Sequence, residues 1–287
     1  MRAAVITRHG GPDVIEVRDV PVPRPGPREV LVRVGAAGCN NTDLWTREGS
    51  YGSASDPNQR AGWLGPLDFP RIQGGDVAGV VVACGDEVTS DVVGSRVLVD
   101  PANYEDSGPD ARPVDVLGSE RDGGFAEYVV VPADRAHRVD ESPLSDVELA
   151  ALPIAYGTAL GMLERGSVTG DHTVLVTGAS GGVGLAVVQL ANARGARVVA
   201  VCSGDKADAV RSAGAASSSS SVVLAYSNSK ATMRRPAPNM SGLMSSENPH
   251  VAATTSPVAA PSASSTAPSG SPVPGSKPCR VPSESVT

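Results

Sequence analysis

The stretch between His172 and Cys202 constrains the fold more than any other part of the chain. His172-Thr-Val-Leu-Val-Thr177 is an apolar run of strand length, and it leads directly into Gly178-Ala-Ser-Gly-Gly-Val-Gly184. Residues 183–194 then carry helical spacing, with Val183, Val187, Leu190 and Ala191 predicted on one face, and Gly195 stands where a helix would end. Residues 197–202 are a second apolar run. Strand, glycine turn, helix and strand make the β-α-β unit from which parallel sheets are built.

The turn also suggests a ligand. Ala179-x-Gly181-x-x-Gly184 has the spacing of a dinucleotide-binding fingerprint, with Ala in the place of the first glycine. Such a turn must be tight, must let the backbone approach a pyrophosphate, and must point free helix N–H groups at it. Ala179, Ser180, Gly181, Gly182, Val183 and Gly184 are therefore the predicted cofactor contacts. The plainer alternative is a tight turn with no ligand. Cofactor choice is read at the tip of the second strand, where an acidic residue would bind a ribose 2′-hydroxyl. This chain has Cys202-Ser203-Gly204 there, followed by Asp205 and Lys206. Ser203 and Lys206 are counted among the cofactor contacts; Lys206 could meet a 2′-phosphate, whereas Asp205 would repel one if it pointed inward. The expectation is NADPH, with NADH less favoured; alternatively, Lys206 is simply solvated.

Upstream, strand-like runs recur at residues 3–7, 14–17, 29–34, 77–83, 96–100 and 125–131, separated by Gly and Pro breakers. Aromatic residues make up only 3% of the chain, so its cores must be built from Val, Ala and Leu. Several runs are continuous valine rather than alternating, as in a small crowded barrel. Residues 144–163 are Ala- and Leu-rich and suit helices interrupted at Pro153. The expected division is a β-rich domain over 1–143, a dinucleotide-binding part over 144–214, and a tail over 215–287. The tail is dominated by Ser, Pro, Ala and Thr. From residue 216 on it holds five basic and two acidic residues, a net of +3, which leaves -10 of the chain's -7 total to the rest. Such a composition buries too little apolar surface to offset ordering entropy, so disorder is predicted there.

The net charge of -7 argues against nucleic acid as a partner. No apolar run approaches the roughly 20 residues needed to span a bilayer, and residues 1–12 carry no stretch of signal-peptide character. A cytoplasmic protein acting on a small molecule is expected, with no membrane partner. The sequence sets no oligomeric state. Cys39, Cys84, Cys202 and Cys279 form no C-x-x-C pair, and read as reduced thiols, mostly buried.

Over residues 1–214 the sequence resembles the medium-chain dehydrogenase/reductase family, and within it the zinc-independent quinone oxidoreductase-like members. The residues that carry the resemblance are Val5-Ile-Thr-Arg-His-Gly-Gly-Pro-Asp-Val14, Pro21-Val-Pro-Arg-Pro-Gly-Pro-Arg-Glu-Val-Leu-Val-Arg-Val34, Gly123-Gly-Phe-Ala-Glu-Tyr128 and the turn at 178–184. It implies an α/β fold class, with a GroES-like β-barrel domain joined to a Rossmann domain (here incomplete) and an active site between them. It also implies several further β-α units after Gly214, where the low-complexity tail begins instead. A shifted reading frame beyond codon 214, or a natural disordered tail, would account for that change.

The resemblance bears on metal as well. Zinc-dependent members place Cys and His where this chain has Asn40 and Gly75, and residues 101–122 lack the cysteines of a structural zinc lobe. Amide and glycine supply no zinc donor, so no metal is expected; an unusual site on Cys39, Asp43 and Asp76 is the remaining alternative. By the same resemblance, Asn40 would be an amide donor, Asp43 an orienting group, Tyr51 a donor or proton source, and Thr158 a residue beside the nicotinamide. The plainer alternatives are a turn-closing Asn40, a rim aromatic at Tyr51 and a back-bonded hydroxyl at Thr158. The implied function is NADPH-dependent, metal-free hydride transfer to a small enone, quinone or aldehyde. Its rivals are a zinc-type alcohol dehydrogenase and a truncated, non-catalytic relic.

Overall fold

The computed structural model describes residues 1–52, 60–105, 111–216 and 224–225. The strands are β1 (Arg2–Ile6), β2 (Ile15–Asp19), β3 (Glu29–Gly38), β4 (Arg71–Ile72), β5 (Asp76–Cys84), β6 (Arg96–Val99), β7 (Ala102–Tyr104), β8 (Pro113–Val116), β9 (Tyr128–Pro132), β10 (Ala136–Arg138), β11 (Thr173–Thr177), β12 (Arg197–Cys202) and β13 (Leu224–Ala225). The helices are α1 (Asn41–Glu48), α2 (Asp146–Leu149), α3 (Pro153–Arg165), α4 (Gly182–Ala193) and α5 (Ala207–Ser212).

All six expected strands of the first region are present. They build an antiparallel five-stranded sheet, ordered β10-β6-β5-β3-β9, beside a three-stranded sheet, β2-β1-β4. A bridge between Ala3 and Ala126 joins β1 to the run leading into β9. The β3–β5 ladder breaks register between Leu31 and Val32 and again between Val34 and Ala36. Bulges of this kind increase local twist, and they let a ten-residue strand curl into a half-barrel. Val30, Leu31 and Val32 are all buried, which explains the unbroken apolar run: β3 is covered on both faces. The barrel core is Val30, Val32, Val77, Val81, Val97, Val99, Val129, Val131 and Leu117.

The second region is parallel, as the sequence suggested, with β11 paired to β12 from Thr173–Arg197 to Thr177–Val201. The buried face of α4 consists of Ala186, Val187, Val188 and Ala191. Val183 and Leu190, expected on that face, lie at its margin and are only partly buried. Small residues at its centre let the helix sit close on the strands. Gly195 takes the left-handed conformation after α4, at φ 80°, as expected. Helix α2 packs back on the barrel, where Leu149 and Ala150 meet Ala78.

Within the low-complexity part, Leu224 and Ala225 form β13 and pair in parallel with Val201 and Cys202. One expectation needs correction. Of the cysteines expected to be mostly buried, Cys202 is buried, Cys84 is half-buried and Cys39 is exposed. Apart from Ala215, Ala216 and β13, the tail and the disorder predicted for it lie outside the described residues, as does Cys279. Among the described residues, no helix is long and apolar enough to cross a membrane.

Candidate active site

The glycine turn is a cradle set into the sheet. Gly178 leaves β11 at φ 63°, a conformation that favours glycine. The Ala179 N–H donates to Val201 O at 3.0 Å, and the Gly181 N–H donates to Gly178 O at 3.0 Å. Ala179, expected among the cofactor contacts, is fully buried. With its side chain in the core and its N–H committed to β12, it holds the turn in place. Gly181 and Gly182 are exposed, and Ser180, Val183 and Gly184 are half-buried. A Cβ on Gly184 would lie 2.3 Å from Gly178 O, so the absence of a side chain sets how closely helix and turn approach. The first N–H groups of α4 have no acceptor within the helix, and they open on the bare Gly181–Gly182 surface. These residues fit a pyrophosphate.

Helix α3 lies along α4, with the Tyr156 hydroxyl donating to Gln189 Oε1. A Cβ on Gly182 would come within 3.9 Å of Ala155. Thr158, half-buried, follows three residues later, one turn along the same side of α3. At the tip of β12, Ser203, Asp205 and Lys206 are all exposed. The Asp205 carboxyl is held below its ordinary range, first by a hydrogen bond from the Ser203 side chain, with a smaller contribution from Lys206.

The other candidate residues lie at the start of α1, which the sequence reading left unassigned. Asn40 is the residue before the first turn. Its backbone N–H donates to Asp43 Oδ2 at 2.7 Å, and its side-chain amide donates to Asp76 Oδ2 at 2.8 Å. Asn40 thus does close a helix start, and it also carries a tertiary bond. Asp43 is buried, and Gln73 Nε2 donates to its backbone carbonyl at 2.9 Å. Burial pushes the Asp43 carboxyl up to about 6; the Asn40 and Gly74 N–H groups oppose this, and the charge of Asp76 adds to it. Burial likewise raises Asp76, against the bonds from Asn40 and Ile154.

Tyr51 is half-buried, and its hydroxyl lies 2.6 Å from Thr42 Oγ1. Its ring meets Trp45 edge-on, with centroids 6.0 Å apart. Burial raises the phenol above its ordinary value, so it stays protonated at neutral pH. Thr42 is the residue the sequence reading missed. No local signal marked it: its contact with Tyr51, nine residues on, depends on α1, which the sequence did not reveal. A pocket of about 390 Å³ opens beside Asn40 and Asp43, with Ile6, Leu44 and Phe125 on its apolar side.

Gly75 stands where the zinc-dependent members would carry a histidine, and a Cβ there would meet Ile154 Cδ1 at 2.8 Å. Cys39 is exposed at the edge of the pocket, while Asp43 and Asp76 are tied to Asn40. Among the described residues, no group of three His, Cys, Asp or Glu could hold a metal ion.

Comparison with known proteins adds to this geometry. The alcohol dehydrogenase GroES-like domain matches residues 26–141. Human quinone oxidoreductase is 33% identical over 201 residues, covering 69% of this chain and 52% of that protein. A solved structure of a presumptive alcohol dehydrogenase from Sinorhizobium meliloti 1021 is 47% identical, with a TM-score of 0.71 over 75% of this chain and 60% of that one. A cobalt- and zinc-bound thermostable alcohol dehydrogenase from Pyrobaculum aerophilum is 32% identical, with a TM-score of 0.64 over 75% of this chain and 64% of that one. The chain spans about half the length of the curated relatives it matches.

Proposed function

The chain belongs to the alcohol dehydrogenase-like superfamily of medium-chain dehydrogenases/reductases, and from that premise we propose that it serves an NADPH-dependent, metal-free reduction of a small enone, quinone or aldehyde. The observation that carries this reading is the bare Gly181–Gly182 surface at the start of α4, inside a complete β-α-β unit. The dinucleotide would rest on Ser180, Gly181, Gly182 and Val183, with Thr158 on the neighbouring helix and Ser203 and Lys206 at the tip of β12.

When bound, a reduced nicotinamide supplies hydride to an electrophilic carbon. The chain's part is to meet the negative charge that develops on the substrate oxygen. Asn40 uses one amide N–H on Asp76 and has a second to offer. Tyr51, kept as a phenol by burial, is a second donor, and Thr42 fixes its hydroxyl. Asp43 orients Asn40 through the backbone. A pocket of about 390 Å³ with apolar walls suits a small carbonyl compound. Support for metal-free chemistry comes from a donor set that offers amide and phenol groups in place of thiolate and imidazole.

A second reading, NADH, is favoured by the position of Asp205 beside Ser203. A carboxylate there suits a ribose hydroxyl and opposes a phosphate. Fluorescence titration of the purified chain with NADPH and NADH in parallel decides between them. Saturable micromolar binding of NADPH, weakened about tenfold by Lys206→Ala while NADH is unaffected, is the expected result. Tighter NADH binding would move the assignment to NADH, and no binding of either would end the oxidoreductase reading for this chain. In the active protein, Tyr51→Phe is expected to lower kcat about tenfold at unchanged nucleotide affinity. Unchanged turnover would remove Tyr51 from the site.

A further inference from the structure

Asp76 is the first residue of β5, and its side chain is 2% exposed. Its two oxygens go to different parts of the molecule. Oδ2 accepts the Asn40 amide at 2.8 Å. Oδ1 accepts the backbone N–H of Ile154 at 2.7 Å. Ile154 is the second residue of α3; the first is Pro153, which has no N–H to give. The Ile154 N–H is therefore the first donor that the helix itself can offer. Helix α3 is the one that lies along α4, whose first turn makes the nucleotide cradle.

The space around this carboxylate is closed. A Cβ on Gly38 would come 2.3 Å from Ala150 O and 3.0 Å from Asp76 Cβ. A Cβ on Gly75 would meet Ile154 Cδ1 at 2.8 Å. Glycine on both sides lets the backbones of β3, β5 and the segment entering α3 close around one side chain. The Asp43 carboxyl on α1 and the exposed Cys39 thiol lie near enough to feel its charge. The carboxylate accepts from two N–H donors, one from each side of the site.

We infer that Asp76 is a positioning residue, a strut whose two oxygens lock the Asn40 amide of the barrel to the first turn of α3, so that the substrate-oxygen donor and the helix backing the nucleotide cradle keep one relative placement. The mechanical part stands on these two bonds; the catalytic part rests on the proposed reductase reading.

The test separates them. Amide hydrogen exchange at Ile154 is measured in the full chain and in the Asn40→Ala and Asp76→Asn variants. Asp76→Asn puts an amide NH₂ against one of two N–H donors and must lose one bond. Asn40→Ala removes the partner on the far side and leaves Ile154 and Asp76 intact. Protection of the Ile154 amide is expected to fall about tenfold in both variants. Unchanged protection in Asn40→Ala would overturn the strut, because Asp76 would then hold α3 unaided. This variant keeps the test decisive if Asp76→Asn fails to fold. In turnover assays, Asp76→Asn is expected to lower kcat about tenfold while the NADPH dissociation constant stays the same. A fall in nucleotide affinity with kcat preserved would overturn the positioning role. A parent chain that binds no nucleotide would sink the reductase reading while leaving the exchange result to stand or fall alone.

Discussion

Replacing Gly184 by alanine is expected to abolish measurable NADPH binding and to cost about 2 kcal/mol of stability. The added Cβ would sit 2.3 Å from Gly178 O and 2.9 Å from both Gly178 C and Ala179 Cα. These are backbone atoms, and no flexible side chain can swing away. The turn cannot retreat either, because the Ala179 N–H is bonded to Val201 O and the Ala179 side chain is fully buried. The helix must therefore tilt off the sheet, and its N-terminal donors move with it. Gly157→Ala is the control: its Cβ would have nothing within 4 Å, and alanine is the better helix former by about 1 kcal/mol. Thermal melts and nucleotide titrations on both variants check the prediction. Wild-type affinity in Gly184→Ala would mean that the turn does not hold the dinucleotide.

The second large effect is one of pH. The Asp43 carboxyl lies at about 6 in the folded protein against an ordinary 3.8. Between those values the folded state binds more protons than the unfolded one. Stability from this group is therefore fully present below about pH 4 and is lost as the pH rises through about 6. The difference amounts to about 3 kcal/mol. Asparagine keeps the shape and the acceptor for the Asn40 N–H but has no proton to lose. Asp43→Asn is thus expected to gain about 3 kcal/mol on the parent as the pH goes from about 4 to about 7. Asp76 is also raised by burial and its charge is coupled to Asp43, so the gap reports the titration of the pair rather than of Asp43 in isolation. Urea unfolding of the two proteins across that range measures the gap, and a gap that stays constant would show that Asp43 does not titrate there.

The two halves of the site were not equally legible in the sequence. The turn at 178–184 was plain because it is local: a strand, a turn and a helix announce themselves within about twenty residues. The long valine strands were plain for the same reason. By contrast, β4, β7, β8 and β10 span two to four residues each, too short to show a pattern. Helix α1 was missed for a different reason. Its buried residues are Asp43, Thr46 and Arg47, so the face turned inward is polar and no apolar stripe marks it. Arg47 is buried because its Nε donates to Gly10 O at 3.1 Å, a tertiary bond that spacing cannot reveal. Asn40, Asp43 and Tyr51 came from resemblance alone, and the structure shows what they touch. At Ala179 the pattern could not say that the N–H would face the neighbouring strand, since a fingerprint position fixes the turn and not the direction of each donor.

The barrel core described above is aliphatic, and that has a practical side. The chain has two tryptophans, Trp45 and Trp63, and neither is among its core residues. Trp45 rests against Tyr51, while the Trp63 backbone N–H donates to Ser119 Oγ at 3.2 Å. Indole emission from this protein therefore reports on the surroundings of Tyr51 and Ser119 rather than on the valine interior. With Trp63 replaced by phenylalanine, a change in its colour or intensity records events beside Tyr51, whereas melting of the barrel must be followed by far-ultraviolet dichroism or methyl resonances. Where the two signals part company on heating, the site is loosening before the scaffold does.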